Sequence, residues 1–161
     1  LIPKVNIFNT GYPQFIPDLM RLSKPIVALA GDTIIYRGDA AEEMFFIKAG
    51  EVQIIASDDK TVVAILGSGA YFGEIGVLLG VKRTVTVKAL TNCVLNVIDK
   101  DSLFSVLDKY PDQMKLMRKV AKQRKKTTKI RDFELGGGFN VDSEASELIE
   151  GEKRDDPNIL Q

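Results

Sequence analysis

The stretch Tyr71-Phe72-Gly73-Glu74-Ile75-Gly76, followed at short range by Arg83-Thr84, concentrates the groups best suited to hold an anion. Glycine at 73 lets a ligand approach the main chain closely, and the run Glu74 to Leu79, closed by Gly80, is long enough for one or two helical turns. The first amides of a helix lack internal partners and carry the positive end of its dipole. Arg83 and Thr84 enter the next strand, so a hairpin-like return brings a guanidinium and a hydroxyl to those amides. Arginine's planar fork matches a phosphate better than lysine's point charge. Glu74 sharpens the reading, because a carboxylate beside a phosphate repels the ligand unless it faces something that donates hydrogen bonds. A ribose hydroxyl is such a group, so the set asks for a phosphate joined to a sugar: a nucleotide. The competing structural reading makes Glu74 a helix-start residue in an ordinary salt bridge with Arg83.

Composition removes several other chemistries. The 161 residues contain no histidine, which excludes histidine-based metal sites and triads with an imidazole base. The single cysteine, Cys93, lies in the apolar run Cys93 to Ile98 and reads as core; there is no internal disulfide. Glu74 has no second carboxylate nearby in sequence to share acid–base work, so the reading is a non-enzymatic binding module without cofactor or metal. Apolar runs such as Val62 to Leu66 fall far short of the roughly 18 residues a membrane span requires. The chain opens on Leu1 rather than Met, which reads as a fragment of a larger protein that could itself hold membrane segments.

The site needs a frame to hold it. Between Pro25 and Lys100, short Val/Ile/Phe/Tyr-rich runs alternate with turn residues such as Gly31-Asp32, Gly38-Asp39, Gly50-Glu51 and Asp58-Asp59. Strands are expected at Ile26 to Ala30, Thr33 to Arg37, Met44 to Lys48, Val52 to Ala56, Thr61 to Leu66, Thr84 to Ala89 and Cys93 to Ile98. The pattern predicts an α+β fold: an antiparallel, jelly-roll-like β-roll interrupted by the short helix at 74–79, with one N-terminal helix (Pro13 to Leu22) and two C-terminal helices. Of the latter, Asp101 is the expected N-cap of the first, which ends near Tyr110, and Pro111 opens the second, running to about Ile130.

Charge divides the C-terminal part. Lys115, Arg118, Lys119, Lys122, Arg124, Lys125, Lys126, Lys129 and Arg131 are unrelieved by any acid, whereas beyond Asp132 acidic residues far outnumber Lys153 and Arg154. The domain is therefore read as 1–131 and the acidic remainder, 132–161, as a flexible tail. Met117, Val120, Ala121, Arg124 and Thr128 share one helical stripe, apolar in its first half and polar in its second. The first half should dock permanently on the roll, and the second half should close only over a ligand. The competing reading leaves Arg124 as one more solvated cation.

Phe72-Gly73-Glu74 with Arg83-Thr84 resembles the phosphate-binding cassette of cyclic nucleotide-binding domains, and Gly31-Asp32-Thr33-Ile34-Ile35, Arg37-Gly38 and Met44-Phe45-Phe46-Ile47-Lys48-Ala49-Gly50-Glu51-Val52 continue the likeness in order. Within that family, Lys82-Arg83-Thr84, Leu1 to Phe8 and Tyr110-Pro111-Asp112 look most similar to the cytosolic domains of cyclic nucleotide-gated and hyperpolarisation-activated channels. Val85 departs from the family's usual alanine. The resemblance implies a ligand set of Phe72, Gly73, Glu74, Ile75 and Gly76 around the sugar-phosphate, with Glu74 on the 2′-hydroxyl. It also implies Arg83 on the cyclic phosphate, Thr84 on phosphate and purine, and Arg124 and Thr128 over the base. Thr128 lacks the carboxylate by which some relatives prefer guanine, so the ligand leans to cyclic AMP over cyclic GMP. The implied parent is a channel, tetrameric, with this domain in the cytoplasm, meeting the membrane only through the parent and binding no nucleic acid. Alternatives are the regulatory domain of a cyclic nucleotide-sensitive sodium/proton exchanger or of a kinase, or, in another class, a scaffold whose basic helix binds acidic lipid or protein.

Overall fold

The computed structural model describes residues 12–130, with side chains through Lys126. The expected features at Leu1 to Phe8, the acidic segment from Asp132 and the side chain of Thr128 lie outside those described residues. In chain order the elements are α1 (Phe15–Leu22), β1 (Lys24–Ala28), β2 (Thr33–Ile35), β3 (Glu43–Ala49), β4 (Val52–Ile55), β5 (Val62–Leu66) and β6 (Tyr71–Phe72). They continue with α2 (Glu74–Leu79), β7 (Thr86–Ala89), β8 (Cys93–Asp99), α3 (Lys100–Leu107) and α4 (Pro111–Ile130). Two four-stranded sheets, ordered β1-β8-β3-β6 and β2-β7-β4-β5, carry antiparallel pairings throughout and face one another as a roll. The expected α+β roll with helices on both flanks is therefore the fold.

The run Met44-Phe45-Phe46-Ile47 is apolar on consecutive residues because β3 packs on both faces. Phe45 and Ile47 enter the roll interior with Val52, Leu66, Phe72, Val87 and Leu95, and Phe45 stacks on Phe72 at 4.9 Å between ring centroids. Met44 and Phe46 point the other way, into a second core with Phe15, Leu19, Tyr71, Leu103, Leu107, Met117, Val120 and Ala121. A strand covered on both sides loses the polar alternation of a half-exposed one. Cys93 is core, as expected, at 1% exposure.

Most boundaries shift from expectation by one to three residues, and three of the shifts have a clear physical cause. Strand β1 begins at Lys24 and includes Pro25, which an edge strand tolerates because its missing N–H need not join a ladder. Strand β7 begins at Thr86, not Thr84, because the main chain of Arg83 is engaged elsewhere: Arg83 N donates to Asp39 O at 2.9 Å, and Gly38 N donates to Arg83 O at 2.9 Å. The N-cap of α3 is Asp99, whose carboxylate accepts from Ser102 N at 3.1 Å, whereas Asp101 sits in the first turn.

The corner between α3 and α4 is clamped to α1. Tyr110 Oη donates to the buried Asp18 carboxylate at 2.8 Å, Tyr12 Oη donates to Asp112 at 2.8 Å, and Tyr110 meets Phe15 edge-on. The Tyr110 bond and Arg21 hold the Asp18 carboxyl below the usual carboxylate range. This clamp fixes where α4 starts, and with it the line along which α4 crosses the roll. Among the described residues no helix is long and apolar enough to cross a membrane.

Candidate functional site

Strand β6 delivers the chain from the roll interior to Gly73, which adopts φ 85° and so turns it into α2. This left-handed conformation is one that L side chains rarely adopt. The position is also crowded: a Cβ there would lie 3.2 Å from Arg83 Nη1, Ile35 Cδ1 and Phe45 Cδ1. Helix α2 ends as expected at Gly80, again left-handed, with its N–H bonded to Gly76 O. Gly76 is needed for packing, since a Cβ there would clash with Ala41 Cβ and lie 2.7 Å from Val81 O. Gly76→Ala is accordingly expected to destabilise the fold by about 1–3 kcal/mol through overpacking, read as a shift of the urea midpoint.

The return from α2 brings Arg83 to this turn, as its spacing predicted. Its guanidinium is buried, donating from Nη1 to Gly73 O at 2.7 Å and from Nη2 to Glu43 O at 2.7 Å, with Glu43 Oε1 3.2 Å from the same Nη2. Burial lowers its pKa, opposed by the carboxylate of Glu43 and, farther off, by Glu74 and Glu42; the side chain remains a cation. Thr84 follows, half-buried, and its hydroxyl makes no hydrogen bond to other described residues.

Arg83 and Glu74 are not paired, so the simple salt-bridge reading fails. Glu74, 1% exposed, takes its cation from the other end of the chain: Arg124 Nη1 donates to Glu74 Oε2 at 2.9 Å and to Tyr71 O at 3.0 Å. The Arg124 guanidinium carbon sits 4.5 Å from the centre of the Tyr71 ring. Arg124 is thus a docking residue and not a solvated cation, and it locks α4 onto α2. The same burial pushes the Tyr71 hydroxyl upward in pKa.

The remaining expected residues divide. Phe72 is wholly in the roll interior against Phe45 and forms the wall behind the turn, while Ile75 packs toward the helical core. The structure therefore brings Gly73, Glu74, Arg83 and Arg124 together, with Thr84 beside them. It adds two residues that sequence reading missed, Glu43 and Tyr71, each tied to an arginine. Glu43 carried no local signal: it reaches Arg83 only because strand β3 starts beside the turn. Tyr71 adjoins the motif, and its place one residue before Phe72, on the opposite face of β6, was the available clue.

Chemically, the arrangement offers a fixed buried guanidinium at the mouth of a glycine turn and a buried carboxylate that has one oxygen already bound. Among the described residues no group of three or more metal-ligating side chains comes together. A family model described as the cyclic nucleotide-binding domain matches residues 26–110, more than half of the chain. The chain is 30% identical over 155 residues to the cyclic nucleotide-gated channel rod photoreceptor subunit alpha of Gallus gallus, covering 92% of this chain and 24% of that protein. It is 39% identical over 125 residues to cyclic nucleotide-gated channel beta-3 of Canis lupus familiaris, covering 75% and 16% respectively. Against cyclic nucleotide-gated channel beta-1 of Homo sapiens it is 35% identical over 127 residues, covering 76% and 10%. The chain thus spans at most about a quarter of the length of these relatives. On the match to residues 26–110, with the glycine turn, cassette helix and returning arginine all inside it, this chain belongs to the cyclic nucleotide-binding domain family.

Proposed function

We propose that this domain binds a 3′,5′-cyclic purine nucleotide, cyclic AMP in preference to cyclic GMP, and passes the binding energy to a membrane channel through α4. The observation that carries the reading is the placing of a buried, immobilised Arg83 at the Gly73 turn beside a buried Glu74 that Arg124 holds through Oε2 alone. In this reading Arg83 holds the cyclic phosphate, Thr84 assists it, and Glu74 accepts from the ribose 2′-hydroxyl. An ionised carboxylate has about four lone-pair sites, so Glu74 serves Arg124 and the ribose at once. Ligand binding and docking of α4 then strengthen one another, and the coupling free energy is reciprocal. Thr128, further along α4, is assigned to the purine together with Arg124.

The relatives are channel subunits, which favours a channel over an exchanger or kinase as the parent, with the domain on the cytoplasmic side and tetrameric through its parent. Hydrogen bonds to charged groups contribute on the order of 1.5–3 kcal/mol each, enough for two or three differential contacts to shift the balance between docked and released α4. The domain acts as a sensor without catalysis. Calorimetric titration with cyclic AMP and cyclic GMP tests the reading: saturable binding with the tighter constant for cyclic AMP is expected, and absence of heat and of any melting shift at millimolar nucleotide would end it. A scaffold reading has one observation in its favour, the exposed basic face of Lys115, Arg118, Lys122 and Lys126 on α4. It requires binding to acidic partners that falls steeply with salt and ignores cyclic nucleotide.

A further inference from the structure

We propose that the Glu43 carboxylate is a placeholder anion on Arg83, paired with it in the empty site and displaced by the incoming phosphate. The inference rests on the phosphate assignment of Arg83 above and deepens it. A buried cation without a counter-charge is costly, and the two carbonyls that orient the Arg83 guanidinium, Gly73 O and Glu43 O, bring none. Glu43 Oε1 is the anion that touches it.

Two features make that contact exchangeable. The side chains differ sharply in exposure, 6% for Arg83 against 39% for Glu43, so the guanidinium is fixed while the carboxylate is half in water. The Nη2···Oε1 distance is 3.2 Å, whereas charge-assisted N–H···O bonds run about 2.7–2.9 Å and the carbonyl bond to the same nitrogen is 2.7 Å. The carboxylate is the loosest of the groups on Arg83. When it leaves, the Arg83 geometry persists, because Glu43 O is main chain at the start of β3, in register with Asp99 on β8. Phosphate then takes over the charge, and Glu43 turns to solvent at little cost. Apparent affinity is lowered by the contact that must be broken, so Glu43 sets the nucleotide concentration at which the domain responds.

The test compares the wild-type chain with Glu43→Gln and Glu42→Gln, titrated at low salt with a 3′,5′-cyclic purine nucleotide and with its uncharged methyl phosphotriester. Glutamine keeps the size of the side chain and the main-chain bond, and a melting curve verifies the fold; Glu43→Ala, tested in parallel, should change affinity in the same direction. Glu43→Gln is expected to bind the anionic nucleotide about three- to fivefold tighter, the upper range for a partly exposed ion pair. It should gain nothing for the triester, and Glu42→Gln should change less. The proposal is overturned if Glu43→Gln binds equally or more weakly, if both ligands gain alike, or if Glu42→Gln gives the same gain. A wild-type chain that binds no cyclic nucleotide would instead remove the phosphate assignment itself, and the placeholder with it.

Discussion

Replacing Arg83 with alanine is expected to weaken cyclic nucleotide binding by about 2–5 kcal/mol, roughly thirtyfold to several thousandfold. The magnitude follows from what the side chain supplies. It bonds directly to the Gly73 carbonyl, it is buried, and its orientation is set by two 2.7 Å bonds to main-chain carbonyls. A preorganised, desolvated charge loses little on binding and is poorly replaced by water. Arg83→Lys should recover only part of the loss, because an ammonium cannot reach Gly73 O and Glu43 O together while presenting a flat edge to a phosphate. The stability of the empty domain should change much less, since truncation removes the cost of a buried charge along with its hydrogen bonds. Calorimetry on the folded variant decides: wild-type affinity in Arg83→Ala would remove Arg83 from the site.

How far this site was legible depended on sequence distance. The turn, helix and return from Phe72 to Thr84 could be read because each step is local. Gly73 and Gly80 both adopt left-handed φ, and the loop between α2 and β7 is too short to carry Arg83 anywhere but back to the turn. The partners of the charges could not be read. Spacing brought Arg83 near Glu74, yet the strand register puts Glu43 against Arg83 and helix packing puts Arg124 against Glu74. Both pairings join elements that are far apart in sequence and near only after the sheets have formed. The three-and-four stripe on α4 placed Arg124 on the docking face correctly, since periodicity reports which face is buried but not what it meets.

The same distinction explains the boundary errors. Asp99 and Asp101 are equally good N-caps in isolation, and the choice was made by β8, which pairs with β3 as far as Asp99↔Glu43 and leaves that residue at the reversal. Thr84 and Val85 have strand propensity, but they follow an arginine whose main chain is bonded across to Gly38 and Asp39, so the ladder cannot begin until Thr86. In both cases a tertiary contact overrode a local preference.

Arg124→Ala should release the end of α4 while leaving the roll intact. Two bonds from one nitrogen, to Glu74 Oε2 and Tyr71 O, hold that part of the helix, and the guanidinium covers the Tyr71 ring. Removing the cation leaves Glu74 buried beside an alanine, a change that costs about 3–5 kcal/mol when the surroundings cannot relax. Here they can, because the helix beyond Ala121 is dominated by lysines whose burial brings little, and lifting it admits water to the carboxylate. Met117, Val120 and Ala121 remain in the core and keep the first turns in place. The loss should therefore appear as faster amide exchange confined to residues after Ala121, with only a small drop in melting temperature. Nucleotide affinity should fall by the same free energy by which ligand stabilises docking, since the coupling is mutual. Arg124→Lys should recover part of the loss, because an ammonium keeps the charge beside Glu74 but lacks the flat guanidinium that covers the Tyr71 ring. Equal exchange protection beyond Ala121 in wild type and variant would show that the ion pair does not hold the helix. Equal protection with and without nucleotide in the wild type would show that α4 does not report the ligand.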